Sequence, residues 1–382
     1  REGEAPAEPF LYITMPHKEY AQLLSYIAPA APATRRPASG DEPFLRPEIG
    51  FTPRWFRRAL GIDFSKRWHT DPLYRRDAMV SMGTELKNRF GGIPIGCVDQ
   101  PDDPQDLLTG TFGACCIAAI YGVEIIYSED NWPNCAHQYL SNEQTDNLEP
   151  PNLDTNPFFC ELMEQVEWIA EKNGSIEGYI NWQGVLNNAQ RLRGEELFID
   201  MAISPDRATH VFECVATTMM DAARRLYERQ RKSGVEIRHF TISNCLVNMV
   251  SPQQYRDLLL PFDRRFAEEF GLLGIHNCAW NADPYVPHYA SIPHVGYIDM
   301  GLESDLANAK KLFPNGRRAI MYTPMDVAHK ELNEIKTDLE RTAREYGPCD
   351  LVFADIDAGT PDSRVKDVVE LCNRIGEKYE LG

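Results

Sequence analysis

The sequence predicts an α/β protein folded as a (β/α)8 barrel, and two observations favour this fold class. From about residue 93 onward, short β-branched or apolar runs alternate with helical stretches, as expected of parallel strands buried on both faces. Eight such runs in roughly 290 residues match the number and spacing of strands in this barrel. The alternative is an open doubly wound sheet, which would want a glycine-rich phosphate turn after an early strand, and the sequence has none.

The eight candidate strands follow one another along the chain. They span residues 93–99, 123–129, 178–182, 238–244, 272–276, 295–300, 318–322 and 351–357. Capping residues that stand directly before a proline predict the starts of four intervening helices. These capping residues are Asn156, Ser204, Ser251 and Thr360.

The segment before the alternation has a different composition. Residues 29–48 are rich in Pro, Ala and Arg, which is typical of an extended connector and not of a packed element. We therefore expect residues 1–50 to form an N-terminal extension and linker, and residues 51–382 to form the barrel.

Composition narrows the range of partners. With 39 basic and 57 acidic residues the net charge is −18, and such a surface repels nucleic-acid phosphates and anionic lipids. No apolar run is long enough to predict a membrane span. The ten cysteines have no paired spacing, which favours free thiols in a reducing cytoplasm. We therefore expect no nucleic-acid or membrane partner, and a homodimer is left open.

Polar side chains cluster at the ends of the predicted strands. In a barrel, the catalytic groups emerge at the carboxyl ends of the strands. Any one of these side chains could instead cap a helix, but the collection predicts a site at one mouth. The residues are Asp99, Glu129, Asp130, Asn181, Asn244, Cys245, His276, Cys278, Asp299, Tyr322, Asp355 and Asp357.

The pair His276 and Cys278 is the most informative feature of this mouth. Residues two apart on an extended backbone face the same side, and imidazole and thiolate together favour zinc. A core histidine beside a buried free cysteine is the alternative. Trp132, Trp182 and Trp280 also fall just beyond strand ends, where aromatic walls would suit an apolar or aryl substrate or would simply pack in the core.

Four stretches of the chain resemble the uroporphyrinogen decarboxylase superfamily, which includes corrinoid-dependent methyltransferases. They are residues 184–200, 246–260, 305–313 and 357–361. Their order and spacing carry the resemblance, which extends over roughly residues 90–380. It implies a (β/α)8 barrel.

Two features divide the branches of this superfamily. The decarboxylase has an arginine-rich segment at its first strand, whereas residues 96–104 here are acidic and contain no arginine, which would repel a polycarboxylate. The zinc methyltransferases carry His-x-Cys after the fifth strand, and His276 and Cys278 match it. This resemblance implies transfer of a methyl group from a small methylated substrate to the corrinoid of a partner protein.

The resemblance also implies a third zinc ligand, a cysteine that precedes Thr-Pro in the last turn. Ala354 occupies that place here, so we expect Asp355, the closest carboxylate, to be the third ligand. Glu129 and Cys245 remain alternatives. A set of His, Cys and carboxylate is acceptable chemistry for zinc.

We assign expected roles on this basis. Zinc would act as the Lewis acid, and an aryl methyl ether is the favoured substrate, ahead of a methyl thiol or a methylamine. Expected catalytic residues, which would handle charge or protons, are Glu129, Tyr322 and Asp355. Expected substrate-binding residues are Asn181, Trp182, Asn244 and Asp357.

Two other functions remain open from the sequence. A metal-free decarboxylase or lyase would use the carboxylates of Glu129, Asp355 and Asp357. A non-catalytic barrel that binds a small ligand would be consistent with the missing cysteine.

Overall fold

The computed structural model describes residues 43–91 and 104–380. The strands are β1 (Leu45–Phe51), β2 (Ile125–Ile126), β3 (Asn134–Cys135), β4 (His239–Ser243), β5 (Leu272–His276), β6 (Val295–Gly301), β7 (Arg317–Met321) and β8 (Cys349–Ile356). The predicted strand at 93–99 lies outside the described residues.

Helices separate most of these strands along the chain. The helices are α1 (Pro53–Leu60), α2 (Lys66–Thr70), α3 (Pro72–Phe90), α4 (Cys116–Ile120), α5 (Asn142–Asp146), α6 (Pro157–Asn173), α7 (Val185–Arg193), α8 (Glu196–Ile203), α9 (Pro205–Lys232), α10 (Pro252–Gln254), α11 (Leu260–Phe270), α12 (Val286–Tyr289), α13 (Leu306–Leu312), α14 (Pro324–His329), α15 (Leu332–Glu345) and α16 (Asp362–Glu380). A π-helical segment, Tyr255–Leu259, joins α10 to α11. Across both described ranges, no helix is long and apolar enough to cross a membrane.

Six strands form one parallel sheet in the order β1-β8-β7-β6-β5-β4. The five predicted strands from residue 238 onward are confirmed as β4 to β8, and helices connect them as the alternation predicts. A parallel sheet whose strands are separated by helices is the arrangement from which a (β/α)8 barrel is built. The sheet therefore supports the predicted fold class over the described part of the chain.

Two predicted strands are absent from this sheet. Of residues 123–129, only β2 is extended, and it pairs antiparallel with β3 in a separate hairpin. Residues 178–182 form no strand, although Glu177 makes a single parallel bridge to Asp106. The departure begins at Gly178, which has a φ of 100°, a backbone conformation that interrupts a regular strand. An apolar run alone does not distinguish such a segment from a strand.

Strand β1 was not predicted, because its residues fall in the Pro-rich segment assigned to the linker. It pairs with β8 from Leu45 opposite Cys349 to Phe51 opposite Ile356. Pro47 has no N–H to donate, which is tolerated at the edge of a sheet, and β1 stands at the edge of the sheet that the described residues form. The boundary predicted between the linker and the barrel, at residues 50 and 51, falls inside β1. The sheet therefore includes residues from Leu45 onward.

Two of the four predicted capping residues, Asn156 and Ser251, make side-chain capping bonds, whereas the Ser204 side chain makes none at the start of α9. The Asn156 side chain accepts a hydrogen bond from Phe159 N at the start of α6, and Ser251 and Gln254 form a reciprocal capping box at α10. These contacts satisfy backbone donors that the first helical turn leaves unpaired. The helices α6 and α10 therefore start at defined residues.

A buried ionic network joins the amino-terminal ends of three strands. Arg317 on β7 donates to Asp350 on β8 at 2.5 Å and lies 3.3 Å from Glu48 on β1. Arg46 on β1 bonds to both carboxylates. All four side chains are largely buried, and a buried charge is stable only while its partners remain.

This network predicts the effect of removing one charge. Arg317→Met should lower the free energy of unfolding by ~3 kcal/mol, because Glu48 and Asp350 would then share one arginine in a buried site. Urea denaturation measures this value. Arg238→Met is the control, since Arg238 and its partner Glu236 are both exposed, and it should cost less than about 0.5 kcal/mol. Equal losses in the two variants would contradict the structural role of the network.

Candidate metal centre

A pocket of about 630 Å³ opens at the carboxyl ends of the sheet strands. Its wall includes residues at or just beyond the ends of four of them: Cys245 after β4, His276 and Cys278 at β5, Tyr322 after β7 and Asp355 on β8. Catalytic groups of barrel enzymes occupy this position. These polar residues at strand ends therefore line one mouth, as the sequence predicts.

Three metal-ligating side chains meet at the floor of this pocket. The Cys278 sulfur lies 3.0 Å from the Cys245 sulfur and 3.1 Å from His276 Nε2. All three donor atoms lie within 4.8 Å of one another, and within the described ranges this is the group of His, Cys and carboxylate side chains able to hold an ion. We call Cys245, His276 and Cys278 the Cys-His-Cys cluster.

The pairing of β4 with β5 brings the cluster together. Ser243, the last residue of β4, lies opposite His276, the last residue of β5. Asn244 N then donates to His276 O at 2.7 Å, so the chain after β4 stays beside the chain after β5 and carries Cys245 to Cys278.

Backbone strain marks the same pocket. Five non-glycine residues in the described chain have a left-handed φ, and three of them, Gln183, Cys278 and Asp355, line this pocket. Such conformations cost on the order of 1–3 kcal/mol each and concentrate at functional sites, where the surrounding structure holds them. The left-handed turn at Cys278, with a φ of 59°, belongs to the Cys-His-Cys cluster itself.

A second layer of hydrogen bonds orients the imidazole. His276 Nδ1 lies 2.7 Å from Asp299 Oδ2, and Asp299 also accepts from Tyr297 Oη at 2.8 Å and from Asn277 N at 2.7 Å. A carboxylate on Nδ1 keeps the proton there and leaves the Nε2 lone pair for a metal. This arrangement is the one that metal-binding histidines usually have.

The electrostatics of the cluster favour a cation. Burial opposes a charged imidazole, but Asp299 and the two thiols together raise the pKa of His276 well above its ordinary value. The hydrogen bond from Cys278, together with His276, lowers the pKa of the Cys245 thiol well below its usual range. A thiolate therefore forms readily in this group, and thiolate is the form that binds metal.

The donor set fits zinc. Two thiolates and one neutral imidazole are borderline-soft ligands that balance the charge of a divalent ion, and three protein ligands leave one position for substrate. Sulfurs on one tetrahedral zinc stand about 3.8 Å apart, so an ion would part the two sulfurs by less than an ångström. The cluster can hold one zinc ion without rearrangement of the strands.

The expected third ligand, Asp355, is not part of the Cys-His-Cys cluster. It lines the same pocket, but Cys245 is the third residue of the group that could hold an ion. Desolvation by burial raises the pKa of the Asp355 carboxyl, although Trp132 and His276 oppose the shift. Asp355 is therefore a pocket carboxyl that holds a proton more readily than an exposed one.

Two other expected site residues do not line the pocket. The Glu129 side chain is 65 % exposed and pairs with Arg57 on α1, so its catalytic role stays a prediction that its position does not favour. Asp357 accepts hydrogen bonds from Thr52 Oγ1 at 3.2 Å and from Ala358 N at 2.8 Å, which is a loop-stabilising role. Both carboxylates follow predicted strand ends in sequence, but both side chains are at least half exposed.

The predicted substrate-binding residues divide in the same way. Asn181 lines the pocket, and its amide oxygen holds Gln183. Trp182 is fully buried in the core, and Asn244 is buried and donates to Asp263 at 3.2 Å. Neither of these two lines the pocket.

Tyr322 lines the pocket as predicted, but its hydroxyl is already engaged. It donates to Asp338 on α15 at 2.7 Å. Burial and Asp338 raise the pKa of the phenol above its ordinary value. Tyr322 is therefore a poor proton carrier for the reaction and serves as a wall of the pocket.

Sequence reasoning missed one face of α7 and the hairpin of β2 and β3. Asn187, Gln190 and Arg191 line the pocket from α7, and their spacing of three and four residues puts them on one helical face. Cys135, the last residue of β3, and His137 just after it line the pocket from the hairpin side. The helical spacing is visible in the sequence, but nothing local shows that this face is turned to a cavity.

Comparison with known proteins gives a similarity in structure but no match in sequence. No protein-family profile matches the sequence, and no curated protein matches it. The fold is similar to the solved structure of a methyltransferase from Methanosarcina mazei, with a TM-score of 0.60 over 89% of this chain and 95% of that one. Sequence identity is 13%, so the likeness shows the fold alone.

The cluster predicts how metal content responds to single substitutions. Purified protein should hold about one zinc ion per chain, and Cys245→Ser and Cys278→Ser should each lower that content sharply because each removes a thiolate. Elemental analysis measures it. Cys135→Ser is the matched control, since Cys135 lines the same pocket outside the cluster, and its zinc content should be unchanged. Absence of transition metal from chelator-free preparations would refute the assignment.

The hydrogen bond behind His276 predicts a smaller effect. Asp299→Asn should weaken zinc affinity roughly 10- to 100-fold, because an amide orients the imidazole less firmly than a carboxylate does. Competition with a chromophoric chelator gives the affinity. Asp263→Asn provides the comparison, since Asp263 is also a buried carboxyl but bonds to Tyr255 and Asn244. The idea fails if both variants bind zinc with parental affinity.

Proposed function

We propose that this protein is a methyltransferase that moves a methyl group between a small substrate and a corrinoid carried by a partner protein, with zinc bound by Cys245, His276 and Cys278. The observation that carries the proposal is the Cys-His-Cys cluster at the floor of a pocket at the strand ends. The similarity in fold to a methyltransferase structure supports it.

The division of labour follows from the chemistry of each part. Bound zinc would act as a Lewis acid towards the heteroatom that carries or loses the methyl group. The protein's own residues fix the position of that atom: Asp299 orients His276, and the strand pairing fixes the two sulfurs. The chain needs no nucleophile of its own, because the reduced corrinoid of the partner is the methyl acceptor.

Asp355 is the best-placed residue for proton transfer in this reaction. It lines the same pocket as the cluster, and the raised pKa of its carboxyl lets it hold a proton closer to neutral pH. The other two predicted catalytic residues are less suitable, because Glu129 lies outside the pocket and the Tyr322 hydroxyl is bonded to Asp338.

An aryl methyl ether remains the favoured substrate. Trp132, Tyr139 and Tyr322 supply aromatic surface to the pocket wall, and a volume of about 630 Å³ accommodates a single substituted ring. Methyl thiols and methylamines are the next candidates. The metal-free decarboxylase alternative loses support, since Glu129 and Asp357 do not reach the pocket and Asp355 is left alone.

The proposal predicts a reaction that requires two proteins. Zinc-loaded protein alone should not demethylate aryl methyl ethers, whereas addition of a reduced corrinoid protein from the same genome should convert cobalt(I) to methylcobalt(III), seen in the absorption spectrum. His276→Ala should nearly abolish the conversion because it removes a ligand, and Asp355→Asn should slow it.

A panel of methyl ethers, methyl thiols and methylamines completes the test. Absence of methylcobalt with every donor and every corrinoid protein of that genome would overturn the proposal. Release of carbon dioxide from a carboxylated substrate by metal-free protein would instead establish the decarboxylase alternative. Arg238→Ala serves as the activity control, since Arg238 is an exposed residue paired with Glu236.

A further inference from the structure

We infer that the pocket contains an anion subsite at Arg191, and that the methylated substrate carries a carboxylate which this arginine binds while the substrate's heteroatom lies at the Cys-His-Cys cluster. The identity of the ligand as the methyl substrate rests on the proposed function. The existence of the subsite rests on the surroundings of Arg191.

Arg191 is the one arginine or lysine among the described residues that line the pocket. Asp355 is the one carboxylate of that described wall. No ion pair joins Arg191 to any carboxylate of the described residues within 4.0 Å, and its guanidinium donates to Asn187 O at 3.1 Å. In a chain of net charge −18, an arginine that faces a cavity without a carboxylate partner is typical of anion recognition.

The neighbouring arginine on the same helix shows the contrast. Arg193 points away from the pocket, is buried, and donates to Asp200 at 2.9 Å and to Leu140 O at 2.6 Å. Arg193 therefore holds α7 to α8 and to the loop before α5, which contains Leu140. Arg191 pairs with no carboxylate of the described residues, and its bond to Asn187 O uses one of the five guanidinium donors, so donors remain for a ligand.

The field of Arg191 also acts on a pocket thiol. A hydrogen bond from Cys115, followed by the charge and hydrogen bonding of Arg191, lowers the pKa of Cys135 to about 7. A guanidinium that stabilises a thiolate at the pocket wall would stabilise a bound carboxylate by the same interaction. This effect is independent of the ion-pair geometry and points to the same property of the pocket.

The pocket that Arg191 shares with the cluster limits the size of the ligand. Asn187 Oδ1 accepts from Leu246 N at 3.3 Å, directly beside the cluster residue Cys245. Arg191 lies four residues further along α7, which is ~6 Å of helix rise. Arg191 and the cluster line one pocket of about 630 Å³, a volume that accommodates a single substituted aryl ring, and Gln190 offers an additional amide in its wall.

Binding of three related probes to zinc-loaded protein tests the subsite without turnover. Isothermal titration calorimetry compares 4-methoxybenzoate with its neutral analogue 4-methoxybenzamide and with 4-methoxybenzenesulfonate. Parent protein should bind the benzoate most tightly. Arg191→Gln should weaken benzoate binding roughly 10- to 100-fold, as for a lost hydrogen bond to a charged group, and should leave benzamide binding nearly unchanged.

Two further variants keep the result interpretable. Arg191→Lys should retain part of the preference for benzoate, because a lysine supplies charge but not the planar fork of donors. Arg238→Gln should behave as parent protein. Circular dichroism melting curves show whether each variant is folded, and a variant that fails to fold is replaced by Arg191→Met for the same comparison.

Each outcome decides one claim. Equal affinity of parent and Arg191→Gln protein for the benzoate would overturn the subsite, and a preference for the sulfonate would overturn its assignment to a carboxylate. Since the titration needs neither corrinoid nor methyl transfer, Arg191-dependent binding without any methylcobalt would leave the subsite standing and overturn the proposed function.

Discussion

The parallel pairing of β4 with β5 is the constraint on which the proposed site depends. It sets Ser243 opposite His276, and the bond from Asn244 N to His276 O continues the pairing past the strands. Cys245 and Cys278 meet because of this register. A slip of one residue would turn every side chain of a strand to its other face and would separate the three donors.

The two ends of the sheet are specialised for different purposes. At the amino-terminal ends, Arg46, Glu48, Arg317 and Asp350 form a buried ionic network of two arginines and two carboxylates. The carboxyl ends hold left-handed residues, thiols and a pocket arginine, which are groups that stabilise the fold little. This separation of stability from function between the two ends is typical of barrels.

The sequence predicts the fold better than it predicts the site. Strands β4 to β8 are recognisable because buried parallel strands are continuous apolar runs, and His276 with Cys278 is recognisable from local spacing. Strand β1 was missed because its composition resembles a linker, although pairing with β8 overrides that preference. Tertiary context of this kind is not visible in a local window.

The third metal ligand also depends on tertiary contacts that the sequence does not show. Asp355 was favoured over Cys245 because a family turn was carried over to the last strand, whereas the register of β4 and β5 decides which side chain reaches His276. Glu129 also follows a predicted strand end, but its pairing with Arg57 directs it to the surface. Arg191 was overlooked because helical spacing shows a face and not what that face contacts.

X-ray absorption spectroscopy at the zinc edge of the purified protein tests the central claim most directly. The account predicts two sulfur ligands at about 2.3 Å and one imidazole nitrogen at about 2.0 Å, with a light atom in the fourth position. A coordination shell with a single sulfur would indicate that a carboxylate such as Asp355, and not a second cysteine, is the third ligand. A shell of oxygen and nitrogen alone would contradict the Cys-His-Cys centre.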